Sequence, residues 1–357
     1  MQFQIPEMNS DFLLIGAGVS GLSVAQALLE RGARVTLIER GACGMESSWA
    51  GGGILSPLCP WDYPDEVTRL TQRSATLFPS WCEKLHADTG IDPEYEISGM
   101  MVLPQFDFVA ATDWCAAHDM RAMRDHAGAL LLPDIAQVRN PRLLRALRRR
   151  VDMLGGRIVE HCAMRSIRTN GGKVAAIDTA DGELRADTYV ITAGAWSRKV
   201  MGTYALNLPI KPIRGQMLLF RFDAPPVPHV VLHGDLYLIP RRDGHLLVGS
   251  TLEDVGFNKE TTEAARHSLR SRAEAILPQL RDMPLQRHWA GLRPGSKDNI
   301  PAIGRHPQLD NLHIDAGHFR YGVTMAPASV EILLNELDGK PQAFDVSAYQ
   351  KRWGEKV

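Results

Sequence analysis

The chain has 357 residues, too many for one ordinary core and enough for roughly two domains at about 100–200 residues each. Hydrophobic residues make up 45% and charged residues 23%, a balance that suits a soluble globular protein. With 40 Lys+Arg against 41 Asp+Glu the formal net charge is -1, which argues against a nucleic-acid or anionic-membrane partner, since either favours a basic surface. The opening "MQFQIPEMNS" lacks the basic start and long apolar core of a signal peptide. The longest apolar run near it, Phe12 to Ile15, is far too short to span a bilayer, which needs about 20 residues. Cys43, Cys59, Cys82, Cys115 and Cys162 are odd in number and widely spaced, with no CxxC. They predict neither a disulfide framework nor a zinc site, and they fit a reducing cytoplasm.

Asp11 to Arg40 is the most regular segment. Phe12 to Ile15 reads as a buried parallel strand, Leu22 to Arg31 as a helix ended by Gly32, and Val35 to Ile38 as a second buried strand. This is a βαβ unit. Its turn, "GAGVSG", supplies Gly16, Gly18 and Gly21 as GxGxxG between strand and helix, the context that makes the pattern meaningful. Gly16 permits the tight turn, Gly18 lets a pyrophosphate approach the backbone, and Gly21 lets helix and strand pack closely. The pyrophosphate then lies at the positive end of the helix dipole. Glu39 ends the second strand, where a carboxylate can accept hydrogen bonds from a ribose diol and repels a 2′-phosphate.

A glycine-rich loop, "ESSWAGGGILSP", follows. Helices are expected near 66–88, 142–154 and 261–277, a strand at 97–108 and a polar helix at 113–128. The basic run "RLLRALRRR" has apolar residues at helical spacing and reads as the solvated face of an amphipathic helix. The Gly171-Gly172 and Asp181-Gly182 pairs suit tight hairpins. Residues 207–257 are strand-rich. In "WAGLRPGS", Pro294 and Gly295 mark a bend between two structured segments, with Arg293 directly against it. Near the end, "NLHIDAGHFRYGVTMAPASVEILLNEL" reads as strand, glycine turn and long helix. The α/β segments lie at both ends and in the middle, so two interleaved domains are expected rather than two consecutive ones.

GxGxxG alone serves NAD or FAD. A nicotinamide enzyme usually continues with repeated βα units, whereas this chain runs into Gly51, Gly52 and Gly53, which bring backbone close to something flat or anionic. "VITAGAWS" ends a buried strand in Ala193 and Gly194, again open to close approach. "AGHFRYGVTMAP" would point a helix N-terminus at an isoalloxazine, stabilising the anionic reduced flavin. No HExxH, GxSxG or P-loop sequence occurs.

These blocks, with "WAGLRPGS" and "IPAIG", resemble the D-amino-acid oxidase group of flavoproteins, and within it the glycine oxidases of bacterial thiamine synthesis. The likeness runs from about Asp11 to Glu336. It implies an α/β (α+β overall) fold: a Rossmann-like FAD-binding domain interleaved with a mixed-sheet substrate domain. The expected bounds are 1–84, 134–206 and 295–357 for the first, and 85–133 and 207–294 for the second. It implies oxidation of glycine and other small amines to imines, with electrons passed to O2. Arg293 would pair with the substrate carboxylate, Tyr237 would hydrogen-bond it, and Arg320 would line the pocket. FAD would touch Gly16, Gly18, Val19, Ser20, Gly21, Glu39, Arg40, Glu46, Ser47, Gly51, Gly52, Gly53, Met164, Ala193 and Gly194. It would also touch His318, Phe319, Arg320, Tyr321, Gly322, Val323 and Thr324. Where the family often carries His near Tyr237, this chain has Asp235. Leu55 and Leu252 are candidates for narrowing the pocket. Related sarcosine oxidases hold flavin through a cysteine near the C-terminal glycine loop. None of the five cysteines lies beyond 162, so FAD is expected to be non-covalent. Family members are often tetramers, so a homotetramer is the expected assembly. Two other functions stay open: a D-amino-acid dehydrogenase passing electrons to a quinone or carrier, and an FAD-binding protein without catalysis.

Overall fold

The structure, a computed structural model, describes residues 10–354. The signal-peptide reading of the first residues therefore lies mostly outside the described residues.

The βαβ unit forms as expected: strand Ser10–Ile15, helix Val19–Leu29 and strand Val35–Ile38, the two strands being parallel neighbours. They belong to a six-stranded sheet. Its order is Ala302–Arg305, Leu312–Ala316, Ala186–Ile191, Ser10–Ile15, Val35–Ile38 and Arg157–Val159. All neighbours are parallel except the first pair. Parallel strands covered on both faces read as continuous apolar runs, which is why "FLLI" and "VTLI" are so legible. One face is packed by Val19–Leu29, Asp65–Thr89, Asn140–Met153 and Gly322–Leu337 around Leu14, Leu22, Leu70, Leu147 and Met325. The other packs a three-stranded antiparallel sheet, Met164–Asn170, Lys173–Thr179 and Glu183–Leu184. Gly171-Gly172 and Asp181-Gly182 make its two hairpins.

An eight-stranded mixed sheet forms the second layer. It runs Arg287–Ser296, Ile210–Arg221, His245–Gly249, Leu236–Pro240, Val230–His233, Met100–Val102, Leu130–Leu132 and Met123–Arg124. Helix Glu263–Ile276 covers one face through Leu269 and Ala273. The opposite face, with Met217, Tyr237 and Ile239, packs Ile54 and Leu58 from the glycine-rich loop. A cavity lies along that contact.

Three local expectations are corrected. The proposed bend at Pro294-Gly295 is continuous strand, in register with Ile210–Leu219 at every residue from Arg287 to Ser296. This strand is the sheet edge, where a proline's missing N–H breaks no ladder. The outward Pro294 carbonyl accepts the Phe319 N–H at 3.0 Å. The strand expected over 97–108 breaks up into Glu96–Ile97 and Met100–Val102 around Gly99, whose φ is 66°. The helix expected at 113–128 is Phe108–Ala117, because Asp107 caps it by accepting the Ala110 N–H at 3.0 Å.

Candidate active site

One cavity of about 430 Å³ runs between the two layers. Of the residues assigned to cofactor or substrate contact, all but Gly21 line it, and the two leucines expected to narrow it, Leu55 and Leu252, do not. Gly21 lies behind the wall: a Cβ there would come within 1.9 Å of the Gly16 carbonyl oxygen, so it serves helix–strand packing.

At one end, Gly16 adopts φ 113° and has no room for a Cβ beside the Thr192 carbonyl, 2.5 Å away. Helix Val19–Leu29 begins without a capping side chain or a first-turn acid. The Val19 N–H donates to Ser48 Oγ at 3.0 Å. Glu39 is buried and takes the Ala17 N–H on one carboxylate oxygen and the Gly41 N–H on the other, each at 3.0 Å. Each oxygen keeps a lone pair for a further hydroxyl. The Arg40 guanidinium lies 3.7 Å over the Trp196 ring and pairs with Glu46, which also pairs with Lys259 at 2.8 Å. A glycine turn that rejects any Cβ, a helix start with no acid in its first turn and a buried strand-end carboxylate together fit a dinucleotide such as FAD.

At the other end stand the loop Gly51–Gly53, Gly215, Met217, Tyr237, Gly291, Arg293, Arg320 and Tyr321. Arg293 reaches in from the edge strand. Its Nη2 donates to Ser250 Oγ at 2.6 Å and its Nη1 to the Thr251 carbonyl at 3.1 Å. A Cβ on Gly215 would lie 2.1 Å from its Nη1, so a larger residue there would push the guanidinium out of this position. Burial lowers the Arg293 pKa from its ordinary value; neighbouring Tyr237 opposes this and the Arg320 charge adds to it. Neither Arg293 nor Arg320 has an ion-pair partner among the described residues. The Tyr237 hydroxyl donates to Met217 Sδ, a weak acceptor, at 3.8 Å and stands beside the Arg293 guanidinium. Tyr321 hydrogen-bonds Tyr63, and burial pushes its phenol well above the ordinary range. Two cations with no ion-pair partner among the described residues and the Tyr237 hydroxyl thus line one chamber, an arrangement whose chemistry suits a small carboxylate.

His318 turns away from this chemistry: its Nε2 lies 3.0 Å from Ser329 Oγ and 3.2 Å from Asp315. Asp235 does not reach the cavity; it is exposed and pairs with Arg272. Leu252 is half exposed and Leu55 is buried in the helical core, so neither narrows the chamber as expected. Ile54, Ser56 and Leu58 line it instead. Gly215, Met217 and Trp196 escaped the sequence reading. For Gly215 the available signal was a glycine inside a strand pattern, which marks close approach by another group.

Residues 11–335 match the family described as DAO, FAD dependent oxidoreductase. A glycine oxidase of Pseudomonas aeruginosa is 40% identical over 96% of this chain and 98% of its own length. A bifunctional ThiO/ThiG protein of Synechocystis is 32% identical over 92% of this chain, which spans 51% of that protein. The crystal structure of glycine oxidase from Geobacillus kaustophilus has a TM-score of 0.88 at 25% identity, covering 96% of this chain and 98% of that one. The chain therefore belongs to the D-amino-acid oxidase family of FAD dependent oxidoreductases.

Proposed function

We propose that this chain oxidises glycine, with sarcosine and small D-amino acids as further substrates, to the imine while O2 is reduced to H2O2. The observation that carries the reading is Arg293, a half-buried, partly desolvated guanidinium with no carboxylate partner among the described residues, facing a chamber built beside a dinucleotide site. FAD, held by the Gly16–Ser20 turn, Glu39 and the Gly51–Gly53 loop, would supply the two-electron acceptor for the substrate and the route of those electrons to O2. Arg293 grips the substrate carboxylate with its planar fork, and the Tyr237 hydroxyl donates to the same carboxylate. Together they hold the amine carbon at a fixed orientation, and such positioning supplies much of the rate. Arg293 and Arg320 make the chamber positive, which disfavours an ammonium and favours the neutral amine that can lose hydride without a protein base. Water then converts the imine of glycine to glyoxylate and ammonia, or the imine feeds thiazole synthesis.

The FAD is held without a covalent bond. Cys162, the cysteine that lines the cavity, lies beside Met164 and Arg165, and burial raises its thiol pKa. Acid precipitation should leave all flavin in the supernatant. Among the described residues no helix is long and apolar enough to cross a membrane. A cytoplasmic homotetramer is the working expectation for place and assembly. The decisive experiment is a panel of amines scored by peroxide release and anaerobic flavin bleaching. Amine loss without peroxide would favour a dehydrogenase, and no bleaching by any amine would favour a non-catalytic binder.

A further inference from the structure

Arg241 follows the Tyr237 strand and is 4% exposed. Its Nη1 donates to Gln137 Oε1 at 2.7 Å and to the Val138 carbonyl at 2.9 Å. Its Nη2 donates to the Gly52 carbonyl at 2.6 Å. All three acceptors are neutral, and among the described residues no carboxylate lies within ion-pair distance. Burial, and then repulsion from Arg139, pulls its pKa down to about 10, so it is still a cation at neutral pH. A desolvated charge hydrogen-bonded only to neutral oxygens, with Glu94, Asp243 and Glu96 acting on it from beyond ion-pair distance, is costly, and a strut between strands does not require one.

Arg241 does not line the cavity, but Gly52 and Gly53 do. In a trans peptide the C=O and the following N–H point in opposite directions. With the Gly52 carbonyl drawn to Arg241, the Gly53 N–H points away from it, and among the described residues no protein acceptor takes that N–H. The peptide cannot rotate freely. The Gly53 carbonyl accepts the Val138 N–H at 2.9 Å, and a Cβ on Gly53 would lie 2.1 Å from the Val138 carbonyl oxygen. A Cβ on Gly52 would meet Ile239 at 2.4 Å and Tyr237 at 3.5 Å, which puts this peptide at the substrate end of the cavity. That is the end where a flavin ring must meet an amine.

We infer that Arg241 is a positioning residue that fixes and polarises the Gly52–Gly53 peptide, so that the Gly53 N–H donates to the bound flavin ring and favours its electron-rich reduced form. A preset dipole aimed at developing negative charge needs no reorganisation when electrons arrive. The inference rests on the cavity being the FAD site.

The test compares wild type, Arg241→Met and Arg241→Lys as flavin-loaded enzymes. Visible spectrum, two-electron flavin potential, FAD dissociation constant, and kcat and KM for glycine are measured on each. Arg241→Met should make reduction at least tenfold less favourable, about 30 mV for a two-electron couple. Its kcat should fall about tenfold with KM within twofold, and Arg241→Lys, which keeps the charge, should recover part of both. Should Arg241→Met fail to fold, Gln137→Glu puts a carboxylate on Nη1 and should move the potential in the same direction. Wild-type potential and kcat in variants that merely melt earlier would overturn the inference and leave Arg241 a strut. A wild-type enzyme without flavin would sink the cavity reading itself, whereas unchanged variants of a glycine-reducible wild type overturn only the role of Arg241.

Discussion

Replacing Arg293 by methionine keeps the side chain's length and removes its charge. The guanidinium has two protein hydrogen bonds, to Ser250 Oγ and the Thr251 carbonyl, and no ion pair among the described residues. Against their loss stands the relief of a desolvated charge, whose strain shows in its lowered pKa. The two effects oppose, so the melting temperature should move by only a few degrees, given that about 1 kcal/mol shifts a large domain by roughly 2–4 °C. Substrate recognition has no such offset. Truncating one partner of a desolvated, hydrogen-bonded charge pair costs about 2–5 kcal/mol. At about 1.4 kcal/mol per decade, kcat/KM for glycine should fall roughly 30- to 4000-fold. Arg293→Lys, which keeps charge but loses the fork, should fall between the two. The assay is initial-rate peroxide production against glycine concentration, with flavin content measured on the same preparation. A flavin-replete Arg293→Met enzyme within threefold of wild type in kcat/KM would refute the role assigned to this side chain.

His313 is buried in the six-stranded sheet with Nδ1 unpartnered, and burial with the Arg305 charge depresses its pKa from 6.5 to about 4. The unfolded chain therefore binds the extra proton between pH 6.5 and 4, so stability is full above that window and is lost as pH falls through it. The loss attributable to His313 is about 3 kcal/mol at about 1.4 kcal/mol per pH unit, and denaturant titrations of His313→Leu should lack that part of the slope. Gly53→Ala must force a left-handed residue, at about 1–2 kcal/mol, and also displace the Val138 carbonyl, so it should purify with little flavin and melt earlier. Leu55→Ala should cost about 2–5 kcal/mol of stability through a core cavity without widening the range of amines. A gain on bulky D-amino acids would show instead that Leu55 governs the chamber.

The nucleotide half was legible because its signals are local. A buried strand, three glycines and a helix lie within one short run, and parallel strands covered on both faces declare themselves as unbroken apolar stretches. Arg293 was legible as a residue but misread in its setting. Proline and glycine usually end a strand, and only the edge position, a matter of tertiary topology, removes the penalty. Gly215 and Met217 reach the cavity from a strand that pairs across a long stretch of chain, which no local pattern reveals, whereas Trp196 sits inside the "VITAGAWS" block without any mark that its ring faces the cavity. Arg241 was hidden for another reason. "IPRRDG" looks like a solvated turn, and nothing local says that its first arginine points inward to Gln137 and Gly52 while Arg242 pairs with Glu96 at the surface.

The hydrogen bond from the Phe319 N–H to the Pro294 carbonyl joins the edge strand that carries Arg293 to the loop that carries Arg320. Because both partners are main chain, only a proline at position 319, which lacks the N–H, deletes the seam directly. Arg293 and the helix-entry loop are thus held at a common spacing by a bond that most substitutions leave in place. The Phe319 amide is consequently a built-in gauge of docking between the two layers. Its hydrogen exchange is slow only while they are closed on one another, so its exchange rate reads how often the chamber opens.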